Sequence, residues 1–250
     1  MKMPDFDSDF ISEWESNYYK CPEDYKDEAT YRRLIELVKK DVASKGTIPK
    51  ETLKKIMKWK LGHYYSDNGN RYWGKYETIY LPRFRVIISG SIADHHKLFI
   101  LIWDESKLKD KLPVASGILD TIYGKAYGFG VPVASTVLHF IFPDKFPIID
   151  IRTVEVVYLT CQIKSPNRYD YRIYEQFRSA MLEIASNTGF PLHKIDRALF
   201  AYHRDFVQHE MNRIFKRWIS ASELGPELNL TLDAPPRLRR FVLDKIKRDP

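Results

Sequence analysis

Gly128, Phe129 and Gly130 form a Gly-x-Gly turn, and a single aspartate, Asp150, closes the stretch GFGVPVASTVLHFIFPDKFPIID that the turn opens. Glycines let a backbone turn sharply and let an anion come close to it. The amides of such a turn and of the helix that follows point at that anion, so the stretch has the makings of a phosphate clamp. Val131 is the next residue on this path, and Pro132 suits a first helical turn, where its missing N–H costs nothing. Small residues at Ala134 and Ser135 allow close helix packing, and Lys125 places a positive charge just before the turn. Asp150 has two readings that coexist: a carboxylate held ready for chemistry, or an N-cap for the helix beginning at residue 151.

The surrounding elements read as helices. DEATYRRLIELVKKDVASKG carries acids at its start, bases at its end and apolar Tyr31, Leu34, Ile35, Leu37 and Val38, and Gly46 stops it. IPKETLKKIMKWKLG places Leu53, Ile56, Met57 and Leu61 on one face and Lys50, Lys54, Lys55, Lys58 and Lys60 over much of the rest. A loop with a turn signal at Asn68-Gly69 follows. The short apolar runs FRVIISG and KLFILIW fit strand or buried helix, and helical neighbours favour helix. Further helices are expected after Pro113, over 132–142, from Asp150, over 169–189 and as one long helix over 191–218 with Ile195, Leu199, Tyr202, Phe206 and Met211 in phase. The first 25 residues, with Trp14, Tyr18, Tyr19 and Tyr25, form an acidic aromatic arm suited to packing on the body, and PPRLRRFVLDKIKRDP forms a short basic helix near the C-terminus. The expected fold class is all-α, one compact helical body in two halves.

The turn and the aspartate together resemble the helix-hairpin-helix superfamily of DNA glycosylases, the group containing endonuclease III and the adenine mismatch glycosylase. In that family a Gly-hydrophobic-Gly hairpin is followed by an alanine in the second helix, and the catalytic aspartate comes sixteen residues after the alanine. Here Gly128-Phe129-Gly130, Ala134 and Asp150 keep that spacing, and KFPIID is close to the wording around the aspartate of the adenine-specific branch. The clear likeness covers roughly residues 113–160. It implies a two-lobed glycosylase-like domain over residues 1–225, with the helix-hairpin-helix at about 113–142, and a basic C-terminal extension over 226–250. It also implies hydrolysis of the base–sugar bond of a damaged, mismatched or modified base. Asp150 would stabilise the positive charge that builds on the sugar and position or deprotonate water. The base would first leave the stack of double-stranded DNA. Gly128, Phe129, Gly130, Val131, Pro132, Lys125 and Arg152 are the implied DNA contacts.

Two departures from the family pattern carry information. Bifunctional members have a lysine two residues after the second hairpin glycine; that position is Pro132, which implies base removal without strand cleavage. Cluster-bearing branches carry four cysteines after this region, whereas no cysteine follows Cys161, so no iron–sulfur cluster and no other cofactor is expected. Because most of the chain does not match the housekeeping repair branches, a specialised target is an expectation beside DNA repair. Removal of modified bases from phage DNA in antiviral defence is one such role. A non-catalytic helix-hairpin-helix DNA-binding protein and a helical protein-interaction domain are the alternatives.

Composition limits these readings without choosing among them. A net charge of +7 and a pI near 9.1 favour acidic partners, nucleic acid among them. The two cysteines are too few for a disulfide scaffold. No secretory h-region and no run of 18 apolar residues is visible, so a soluble, monomeric, cytoplasmic protein is expected, nucleoid-associated if bacterial. The lysines of 50–60 read as a solvated face or a DNA contact, and the basic tail (Arg237, Arg239, Arg240, Lys245, Lys247, Arg248) as solvated or DNA-hugging. The loop with Tyr65, Tyr72 and Trp73 reads as core packing or as a base pocket or wedge. His203 and His209, six apart, fall on different helix faces and make no metal motif.

Overall fold

A computed structural model describes residues 5–20, 28–61, 86–87, 131–160, 163–164, 171–220, 229–231 and 234–248. The hairpin Gly128–Gly130, Lys125, the aromatics Tyr65, Tyr72 and Trp73, the run KLFILIW and the helix expected after Pro113 lie outside the described residues. The described part is mostly helical, and none of its helices is long and apolar enough to cross a membrane. The chain divides into two compact units, residues 22–148 and residues 1–21 with 149–250.

The second unit opens the chain with α1 (Ser8–Tyr18); in the unit of residues 22–148 the described helices are α2 (Glu28–Lys45), α3 (Lys50–Leu61) and α4 (Val131–Ile141). Tyr31, Leu34, Ile35 and Val38 of α2 and Leu53, Ile56 and Met57 of α3 are buried, as their spacing requires. Helix α4 packs against both. Gly46 ends α2 with φ +63°, a left-handed turn that costs glycine least. Asp41 ties α2 to α3 across this turn: its carboxylate accepts from Lys45 Nζ at 2.7 Å and from Thr52 Oγ1 at 2.6 Å. These two bonds hold its carboxyl below the usual range against the opposing effect of burial.

One local expectation fails here. Val86–Ile87 of FRVIISG is not helical but forms β2, antiparallel to β1 (Thr47–Ile48), with Thr47 opposite Ile87 and Ile48 opposite Val86. Three of these four residues are Ile or Val and the fourth is Thr, and branching at Cβ favours the extended pairing.

The other unit holds α1 (Ser8–Tyr18), α5 (Ile151–Leu159), α6 (Tyr171–Thr188), α7 (Leu192–Tyr202), α8 (Gln208–Ser220) and α9 (Pro236–Arg248). The aromatic arm packs as expected, with α1 lying along α7. Phe10 and Trp14 meet Tyr202 edge-on at centroid distances of 5.2 Å and 5.1 Å, and Tyr18 meets Phe200 at 5.8 Å. Ile173, Phe177, Met181 and Ile184 of α6 are buried in phase. Gly189 follows α6 with φ +73° and open space where a Cβ would sit. Its substitution therefore probes backbone strain alone. Gly189→Ala is expected to lower stability by about 1 kcal/mol in urea denaturation, and Gly189→Asn by less; equal stability of the alanine variant would refute this.

The long helix expected over 191–218 is interrupted. Residues His203–Val207 form a π-helical turn between α7 and α8, with the Gln208 amide donating to the His203 carbonyl five residues back. The wider turn shifts the phase of the chain by about one residue. Phe206, in phase with Ile195, Leu199 and Tyr202 on a regular helix, is instead 41 % exposed, stacked on Tyr202. His203 and Val207 are turned into the core.

Candidate active site

Asp150 is the N-cap of α5. Its Oδ1 accepts the amide hydrogens of Arg152 at 2.9 Å and Thr153 at 3.0 Å, and the Thr153 hydroxyl lies 3.3 Å from the Asp150 amide, which donates to it. Two of the helix's first amides are thereby satisfied by one oxygen. The other oxygen, Oδ2, accepts no hydrogen bond from any described residue, and the side chain is half-buried. A carboxylate so arranged is fixed in direction through one oxygen, and no described residue engages the other.

The chain leading into Asp150 is equally fixed. His139, at the end of α4, is buried, with Nδ1 2.8 Å from the Phe146 carbonyl and Nε2 2.9 Å from the Tyr31 hydroxyl. A carbonyl only accepts, so Nδ1 carries the hydrogen, and the Nε2 of a neutral ring accepts from Tyr31. His139 thus anchors the segment four residues before Asp150. Phe146, Ile148 and Ile149 of that segment are buried. Of the residues expected to clamp phosphate, Val131 begins α4 with its side chain buried, and Pro132 lies in the first turn, its carbonyl accepting from Ser135 Oγ at 3.0 Å and Thr136 Oγ1 at 2.8 Å. Arg152 is half-buried and its guanidinium lies 4.2 Å from the centroid of the Phe200 ring, a cation–π contact that ties α5 to α7.

Behind Asp150 on α5 stands a buried charge network that sequence reasoning did not find. Glu155, five residues along, accepts from Arg239 Nε at 2.7 Å and Nη2 at 2.6 Å and from His203 Nε2 at 2.7 Å. Arg239 also donates to the Thr231 carbonyl at 2.7 Å and to Gln208 Oε1 at 3.3 Å. Arg239 was expected to be one of several solvated or DNA-facing tail cations; it is 1 % exposed and spent on Glu155. The signal in the sequence was slight: Glu155 lies in the otherwise apolar run IRTVEVVYL, where an acid needs a buried partner. His203 and His209 do fall on opposite sides, the first buried and the second exposed.

Burial pushes the Glu155 carboxyl up, but the bonds from His203 and Arg239 outweigh it and hold the group below the usual carboxylate range. Burial pushes the His203 ring down, and the attraction of Glu155 only partly offsets it. Arg239 and Arg152 add to the depression. Both shifts have one consequence. Unfolded His203 takes up a proton near its ordinary value of 6.5 that the buried ring refuses, and unfolded Glu155 protonates before the folded one. Stability is therefore expected to fall as pH drops below about 6.5, and to keep falling as the carboxyl's folded value is approached. Melting temperatures measured from about pH 7.5 to about pH 5 check this. In His203→Gln the decline should begin only where carboxylates titrate, and an unchanged profile would refute the assignment.

No family model matches the chain, and no curated protein or solved structure is significantly similar to it.

Proposed function

We propose that the chain is a monofunctional DNA glycosylase of the helix-hairpin-helix type, which removes a damaged, mismatched or modified base from double-stranded DNA. The observation that carries this reading is Asp150: a carboxylate locked by α5 through one oxygen, with the other unengaged by any described residue, sixteen residues after Ala134. That Pro132, Ala134 and Ser135 lie on helix α4, where the resemblance expects the second helix of the hairpin motif, supports the same reading.

The chemistry follows from the arrangement. As the N-glycosidic bond breaks, its electron pair leaves with the base and positive charge builds on the sugar. Oδ2 of Asp150 stabilises that charge. Water then bonds to the sugar carbon from which the base departed, and its proton passes to the carboxylate or to the departing base. The turn amides and the first amides of α4 hold a phosphate. With Pro132 in place of a nucleophilic lysine, no Schiff base forms and the product is an abasic site. Cytoplasmic repair, or defence against phage DNA with modified bases, are the settings in which such a product is useful.

The test is direct. The protein is incubated with duplexes carrying different damaged, mismatched and modified bases, phage DNA included, and abasic sites are then cleaved with alkali. Strand breaks only after alkali support a monofunctional enzyme. Breaks without alkali overturn the role given to Pro132, and no base released from any substrate overturns the function.

A further inference from the structure

Helix α9 carries six basic residues and one acid, and the structure accounts for only half of the bases. Arg239 is held by Glu155, Arg240 pairs with Asp244 at 3.6 Å, and Lys247 lies 3.9 Å from the centroid of the Tyr158 ring. Asp244 is itself engaged by the Tyr158 hydroxyl. Arg237, Lys245 and Arg248 are exposed and form no ion pair with any described residue. Their spacing of eight and three places them on one stripe of the helix, and Phe241 lies midway between Arg237 and Lys245 on that stripe.

Phe241 is 41 % exposed and Trp218 of α8 is 47 % exposed. Their rings pack at 5.7 Å, with Lys245 Nζ 5.8 Å from the Phe241 centroid. Two large, part-exposed aromatic rings beside three cations that pair with no described residue are an outward-facing feature of this unit.

We propose that Trp218 and Phe241, flanked by Arg237, Lys245 and Arg248, form a binding platform for single-stranded nucleic acid. An unpaired base presents a flat face that stacks on an exposed indole or phenyl ring, and its backbone supplies the missing negative charge. A duplex hides those faces in its stack. A lipid surface is less well matched, because the aliphatic side of α9 (Val242, Leu243, Ile246) is buried in the protein and leaves only the two aromatic rings to insert. The platform is independent of Asp150 and does not rest on the glycosylase reading.

Fluorescence anisotropy of the full chain with a fluorescein-labelled oligothymidylate of about 15 nucleotides tests the proposal. Trp218→Ala and Phe241→Ala are each expected to weaken binding roughly tenfold, with Trp218→Phe retaining most of it. Arg237→Ala and Lys245→Ala should each reduce the slope of log affinity against log salt by about 0.7. Circular dichroism confirms that these exposed substitutions leave the helices intact. Oligonucleotide binding is measured whether or not any base is released, which separates this result from the fate of the enzymatic reading. The proposal is overturned if the parent does not bind, or if the aromatic variants bind equally well. It is also overturned if the variants lose binding to phosphatidylserine vesicles or to polyglutamate while keeping it for oligothymidylate.

Discussion

Asp150→Asn is expected to abolish base release while leaving the fold essentially intact. Asparagine caps a helix about as well as aspartate, since its side-chain oxygen accepts the same two amides from Arg152 and Thr153. The lost charge at the helix start costs no more than about 1 kcal/mol. The neutral amide, however, supplies no negative charge opposite the developing sugar cation, and it takes no proton from water. Loss of one preorganised stabilising group typically lowers the rate by about 100- to 1,000-fold. Asp150→Ala should lose activity as well, and in addition destabilise by about 1 kcal/mol through the missing cap. The pair of variants separates the proposed catalytic role of this residue from its cap. Single-turnover base release and thermal melts of both variants are the measurements. An asparagine variant with full activity would leave Asp150 as a cap and nothing more.

The largest expected loss of stability is at Arg239→Met. The side chains of Arg239 and Glu155 are 2 % and 3 % exposed, so neither charge has recourse to water. Removing the guanidinium leaves the Glu155 carboxylate with His203 alone and deprives the Thr231 carbonyl of its donor. Breaking a buried pair in this way costs about 3–5 kcal/mol. For a chain of this size that is a fall in Tm on the order of 10 °C. The double variant Glu155→Leu/Arg239→Met should recover a large part of the loss, because it removes both charges and fills the space with apolar atoms. Urea denaturation of the single and double variants gives the coupling directly. A loss under about 1 kcal/mol in the single variant would mean that water reaches Glu155 and replaces the guanidinium.

The two cases differ in how far the sequence exposed them. The capping role of Asp150 was readable because its evidence is local: a helix start and two amides within three residues. The apolar faces of α2, α3 and α6 were readable for the same reason, since a repeat of 3.6 residues is a property of the nearest neighbours along the chain. Glu155 and Arg239 are 84 residues apart, and no repeat links them. Composition assigns an arginine in RLRR to solvent; only the packing of α9 on α5 and α8 removes this one from it. Likewise, Val86–Ile87 is a strand because Thr47–Ile48 lies beside it, not because its own residues forbid a helix.

The sequence by itself determined where most of the described helices run, which sides of them are apolar, and that Asp150 caps one of them. The tertiary structure decided which charges are spent and which face outward. A π turn at His203–Val207 rotates one histidine into the core and one phenylalanine out of it. Docking of α9 buries Arg239 and leaves Arg237, Lys245, Arg248, Trp218 and Phe241 at the surface. The reason is physical. Helix formation is governed by contacts within a few residues, whereas the partner of a buried charge and the exposure of an aromatic ring depend on which distant segments close over them.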